Sequence, residues 1–132
     1  MEHALSTHLF ANHRLTTALL DRIWGVGIAA VELFCARQHL DYTSRAQLTE
    51  LRAWFRDSEM KLFSVHAPIY TDDVWGRSGP HAVLTITEPV KARRIAMVDE
   101  IKRAIEMVEY VPFRYLIQHV GLTEEEFDER KL

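Results

Sequence analysis

Four short apolar runs punctuate the chain, at residues 5–10, 28–34, 62–67 and 115–120. Each is of strand length and rich in β-branched or aromatic residues. In the second, Ile28-Ala29-Ala30-Val31-Glu32-Leu33-Phe34, the apolar character is nearly continuous. That pattern fits strands covered on both faces. Between the runs the period changes. Leu19, Leu20, Ile23 and Trp24 share one face of a helix predicted over 16–24, and Gly25 and Gly27 end it. A second helix is predicted over 44–58, with capping-box spacing between Ser44 and Gln47 and a stripe of Leu48, Leu51 and Phe55. A third is predicted over 89–108, where Pro89 suits a first turn and Ile95, Val98, Ile101, Ile105 and Val108 recur at helical spacing. Thr123 and Glu126 form another capping box, so a fourth helix is expected to begin there.

The order is β-α-β-α-β-α-β with the start of a further helix. Such alternation implies a parallel sheet with right-handed crossovers, in one domain over 1–132. After Phe127 only Asp-Glu-Arg-Lys-Leu remains. A helix with a cap and almost no body is expected of a chain cut short, or of a short tail that frays. The connection 68–88 is long and carries Gly76, Gly79, Pro80, Trp75, Asp72 and Asp73. Because it follows the carboxyl end of the third strand, it is expected to serve a site.

Composition narrows the classes. Hydrophobic residues are 48% and charged residues 27%, ordinary for a globular domain. The net charge of −3 and a pI near 6.1 argue against a nucleic-acid-binding surface. No apolar run approaches the roughly 18 residues of a spanning helix, so no membrane partner is expected. There is no secretory signal pattern, and the single cysteine, Cys35, has no internal disulfide partner. A cytoplasmic setting is the expectation. Walker-type phosphate loops, G-x-S-x-G elbows and Cys-x-x-Cys pairs are all missing.

The candidate chemistry sits at strand ends. His66 closes the third strand and His119 the fourth, and parallel α/β sheets collect ligands at carboxyl ends. Two neighbouring imidazoles can share one divalent ion, since neutral imidazole suits zinc, manganese or iron. They can equally be hydrogen-bonded fillers of a barrel mouth. Alternation puts Val31 and Leu33 on one face of the second strand and Ala30, Glu32 and Phe34 on the other. A carboxylate there needs a partner, so Glu32 is read either as a polar group facing the mouth or as a salt-bridge member with Arg37. His8 faces the mouth or is structural. His13 and His39 are expected at the surface, in loops. Trp75 is a lid contact for a sugar ring or a loop anchor; Trp24 and Trp54 are expected in the core. No catalytic acid or base is assigned.

Taken together, Leu5-Ser6-Thr7-His8-Leu9-Phe10, Val31-Glu32-Leu33-Phe34, Val65-His66-Ala67-Pro68 and Ile117-Gln118-His119-Val120-Gly121 give the chain a resemblance. It resembles the xylose-isomerase-like TIM-barrel superfamily, which includes sugar phosphate isomerases/epimerases and metal-dependent AP endonucleases. The resemblance covers almost the whole chain. It implies the N-terminal half of a (β/α)8 barrel: four parallel strands, three full helices and the start of a fourth. It also implies that His66 and His119 are metal ligands, for zinc, manganese, magnesium or cobalt, or substrate contacts, with Glu32 as a polar wall; from their positions, His8, Glu32 and Trp75 are the candidate substrate-binding residues. The family's other metal ligands and acid/base carboxylates come from later strands, so little or no turnover is expected of these 132 residues alone.

Three functions are compatible with that resemblance. The first is a truncated sugar isomerase or epimerase, in which a metal polarises a carbonyl or hydroxyl. The second is an AP endonuclease-type phosphodiester hydrolase, which the acidic charge disfavours. The third is a non-catalytic half-barrel assembly module. Unpaired outer strands lead to the expectation of a homo-oligomer formed through exposed sheet edges.

Overall fold

A computed structural model describes residues 3–71 and 83–120. Four strands, β1 (Ala4–Ser6), β2 (Ala30–Phe34), β3 (Lys61–His66) and β4 (Tyr115–Ile117), form one sheet in the order β1-β2-β3-β4. Every pairing is parallel. The crossovers carry α1 (Thr17–Gly25), α2 (Arg45–Asp57) and α3 (Lys91–Glu106). The fold is α/β, four parallel strands with three helices, the arrangement of half a (β/α)8 barrel. The expected start of a fourth helix at Thr123 lies outside the described residues.

Most of the core lies between sheet and helices. Val31, Leu33, Cys35 and Val65 point from the strands toward Leu20, Ile23, Leu48, Leu51, Ala104 and Met107. Burial pushes the Cys35 thiol well above its ordinary range, and its Sγ sits 3.9 Å from Met107 Sδ. The other sheet face carries Ser6, Glu32, Ser64 and Tyr115 in one register row and Phe34, His66 and Ile117 in the next. A register shift between Val31 and Glu32 lets Phe63 bulge beside Ser64, where it meets the Tyr115 ring at 5.3 Å.

Several local expectations are corrected. The first run is a strand only to Ser6; Thr7–Phe10 turns into a 3-10 helix. Hydroxyls replace the ladder there: Ser6 Oγ accepts from the His8 N–H and Thr7 Oγ1 from the Phe34 N–H. The fourth run stops pairing at Ile117. Its carbonyl accepts the Ala67 N–H.

Ser44 does cap α2, accepting from the Gln47 N–H. The Gln47 side chain does not reciprocate. It donates to the Leu15 and His39 carbonyls and accepts from the Asp41 N–H. α3 begins at Lys91 rather than Pro89; Val90 is its cap residue, and the Glu88 carboxylate accepts the Val90 N–H. Its predicted stripe is split. Ile101 is buried with Glu100, Ala104 and Met107, whereas Ile95, Ile105 and Val108 are exposed. Trp24 is 40% exposed rather than core, and Trp54 is half-buried, donating from Nε1 to Asp21. α1 ends as expected, on Gly27 with φ of 89°.

Candidate functional site

The carboxyl ends of β3 and β4 bring His66 and His119 together. The two Nε2 atoms are 3.1 Å apart and the ring centroids 4.7 Å, nearly perpendicular. His66 is buried and His119 exposed, so the pair closes the polar end of the sheet on one side and meets solvent on the other. His66 Nδ1 lies 2.8 Å from the Ala67 carbonyl oxygen. A carbonyl only accepts, so Nδ1 carries the ring proton and Nε2 presents its lone pair. The 3.1 Å contact is then made by the His119 Nε2–H donating to that lone pair.

The same fixed tautomer makes His66 a competent ligand, because a backbone carbonyl on the far nitrogen is the usual support of a metal-bound imidazole. Zinc–imidazole bonds of about 2.0–2.1 Å in a tetrahedral site separate the two nitrogens by roughly 3.3 Å. The donor set and spacing therefore fit a shared divalent ion. Among the described residues, no group of three or more His, Cys, Asp or Glu side chains gathers as a metal site. Two imidazoles are what this part of the chain offers.

Around the pair the mouth is aromatic. Phe34 packs edge-on to His66 at 5.3 Å, and His8 stacks on Phe34 at 4.1 Å. His8 and His66 are 6.3 Å apart by ring centroid, so His8 borders the mouth without joining the pair. Glu32 lies on the same sheet face one row below. One of its oxygens accepts from Ser6 Oγ at 2.8 Å and the other from Ser64 Oγ at 2.9 Å. It makes no pair with Arg37. With each oxygen engaged by a neighbouring strand, Glu32 forms a fixed polar wall. Trp75, Asp72 and Asp73 lie outside the described residues; the flanks of their loop are tied by the Tyr70–Val83 bridge and the Leu84 N–H to the Ile69 carbonyl.

Sequence reasoning missed two polar centres. Glu100, on α3, is buried and receives Arg37, Tyr42 and Arg103. Burial by itself would raise its carboxyl, but the hydrogen bonds from Tyr42 and Arg37, the Arg37 charge and the Arg103 hydrogen bond hold it below the usual carboxylate range. Burial and the bond to Glu100 push the Tyr42 phenol up. The available signal was a carboxylate beside Ile101 on an apolar helix face. His39, expected at the surface, is fully buried. Its Nδ1 donates to the His13 carbonyl and its backbone carbonyl accepts the Leu15 N–H, so it joins the loops after β1 and β2. Burial lowers its pKa despite that bond, which acts to raise it.

A concavity of about 580 Å³ lies between α1 and α2 and is lined by Asp21, Trp24 and Trp54 among others, away from the strand ends. Among the described residues no helix is long and apolar enough to cross a membrane. Compared with known proteins, the chain matches no family model, no curated protein and no solved structure, so the functional reading rests on the geometry of this site.

Proposed function

We propose that this chain supplies half of a divalent-metal site of the sugar isomerase or epimerase kind, acting on a sugar or sugar derivative at the mouth of a (β/α) barrel. The observation that carries the reading is the 3.1 Å approach of His66 Nε2 to His119 Nε2, with His66 Nδ1 held on a backbone carbonyl. The position at parallel strand ends also supports it.

A bound ion would supply Lewis acidity, polarising a carbonyl or hydroxyl oxygen of the sugar. His66 and His119 would hold it. His8, stacked on Phe34, offers an imidazole at the rim for a substrate hydroxyl. Glu32 orders the floor through Ser6 and Ser64 and leaves the proton transfers to other groups. No base is assigned among the described residues; in the family the chain resembles, the isomerising carboxylates come from later strands.

Calorimetric titration with zinc and with manganese tests the reading. Wild-type protein is expected to bind one equivalent, and His66→Ala with His119→Ala to bind none while keeping the native far-UV spectrum. Equal binding by the double variant would remove the ligand assignment and leave the non-catalytic half-barrel.

A further inference from the structure

Between the 3-10 turn and α1, residues 11–15 form a strap tied to the loop after β2 and to the first turn of α2. Gln38 Nε2 donates to the Ala11 carbonyl, His39 Nδ1 to the His13 carbonyl and Gln47 Nε2 to the Leu15 carbonyl. The Leu15 N–H in turn donates to the His39 carbonyl. Ala11 and Leu15 are buried at the two ends of the strap, and residues 12–14 between them are exposed. The strap thus has little apolar burial of its own and is held by polar bonds, the character of a segment that opens before the core does.

His39 lies under these bonds. The residue is fully buried, and Nε2 has no hydrogen-bond partner among the described residues. The neutral ring suits that setting: with Nδ1 donating to a carbonyl, Nε2 carries only a lone pair. A second proton would place a positive charge and an N–H where no acceptor stands. The carbonyls of His13 and Phe10 favour the charged ring, but burial outweighs them, and the His8 and His13 side chains repel it as well. In its own loop, Arg37 is committed to Glu100 and the Asp41 carboxylate to Thr43. On the strap, Arg14 is exposed.

We infer that His39 is an acid-operated latch, whose protonation releases residues 11–15 from the loop after β2 while the sheet stays folded. Once the strap lifts, Nε2 reaches water, and the open form takes the proton that the closed form refuses. Between the ordinary histidine value near ~6.5 and the lower folded one, each unit of falling pH favours the open form by about tenfold. The strap continues directly from the turn that carries His8, and the His13 N–H is bonded to the Phe10 carbonyl, so the latch also steadies the rim of the mouth. It operates without metal at His66 and His119.

Amide hydrogen exchange of the full chain, in a chelating buffer, tests this. The Leu15 amide, bonded to the His39 carbonyl, reports on the strap; the Cys35 amide, bonded to the His66 carbonyl, reports on the sheet. The protection factor at Leu15 is expected to be lower than at Cys35, to respond little to urea, and to fall by about tenfold between pH ~7.5 and ~5.5. His39→Asn, which keeps a donor for the His13 carbonyl, is expected to abolish that fall. Protection at Leu15 that matches Cys35 in size and in urea slope would mean that the strap opens only with the whole fold, and it overturns the inference; this comparison needs no variant. A fall retained in His39→Asn overturns it too.

Discussion

Arg37 and Glu100 stand 63 residues apart in sequence and meet with Nη2 2.6 Å from Oε1, tying the loop after β2 to the middle of α3. Tyr42 and Arg103 complete the coordination of the same carboxylate. This cluster, rather than apolar contact alone, fixes the rotation of α3. It explains why Ile95 and Ile105 face outward while a glutamate faces in.

Removing that carboxylate leaves Arg37 and the Tyr42 hydroxyl without their shared acceptor. Breaking a buried pair costs about 3–5 kcal/mol; because Arg103 is mostly solvent-exposed, Glu100→Ala is expected to lose about 2–3 kcal/mol in urea denaturation. The folded pKa of Glu100 is depressed. Its contribution is therefore fully present above the unfolded glutamate value near ~4.3 and is lost as pH falls through the folded value. Glu100→Gln is expected to flatten the acid limb of the stability profile; an unchanged limb would contradict this.

His39 acts with the same sign in a higher pH window. Its folded pKa is lowered, chiefly by burial, so below the unfolded histidine value of about 6.5 the unfolded chain binds the extra proton first. Stability then falls as pH drops from that value toward the folded one. His39→Asn keeps a donor for the His13 carbonyl but cannot titrate. It is expected to lose part of the drop in melting temperature between neutral and mildly acidic pH, measured by circular dichroism.

Thr7 is fully buried, and its Oγ1 is the acceptor for the Phe34 N–H at the end of β2. Thr7→Val preserves shape and removes that acceptor. Leaving a buried amide unpaired costs about 1–3 kcal/mol, and amide hydrogen exchange at Phe34 is expected to accelerate. Unchanged protection at Phe34 would show that another group takes the bond.

Glu32 is bracketed by Ser6 and Ser64, of which Ser64 is buried. Glu32→Ala strands the Ser64 hydroxyl and is expected to destabilise by about 1–2 kcal/mol. Glu32→Gln retains an acceptor for one serine and is expected to cost less. Chemical denaturation of the pair measures the difference.

The parallel order was legible because short apolar runs alternate with helical periodicity, and α1 and α2 carry their own stop or cap in Gly27 and Ser44. The strand-end placement of His66 and His119 followed from the same pattern. What the pattern could not carry was polar burial. Glu100 and His39 are stabilised by partners far away in sequence, and local spacing carries no trace of Arg37 reaching α3 or of His39 reaching the His13 carbonyl. The first strand ends before Phe10 because hydroxyl acceptors on Ser6 and Thr7, not loss of hydrophobicity, end the pairing.

The shared use of His66 and His119 is most directly tested by long-range proton–nitrogen NMR of the imidazole rings, without metal and after one equivalent of zinc. The account predicts that His66 begins as the Nδ1-protonated tautomer and that the Nε2 resonances of His66 and His119 then move together, with the other histidines unchanged. Movement of neither ring, or of only one of them, would contradict it.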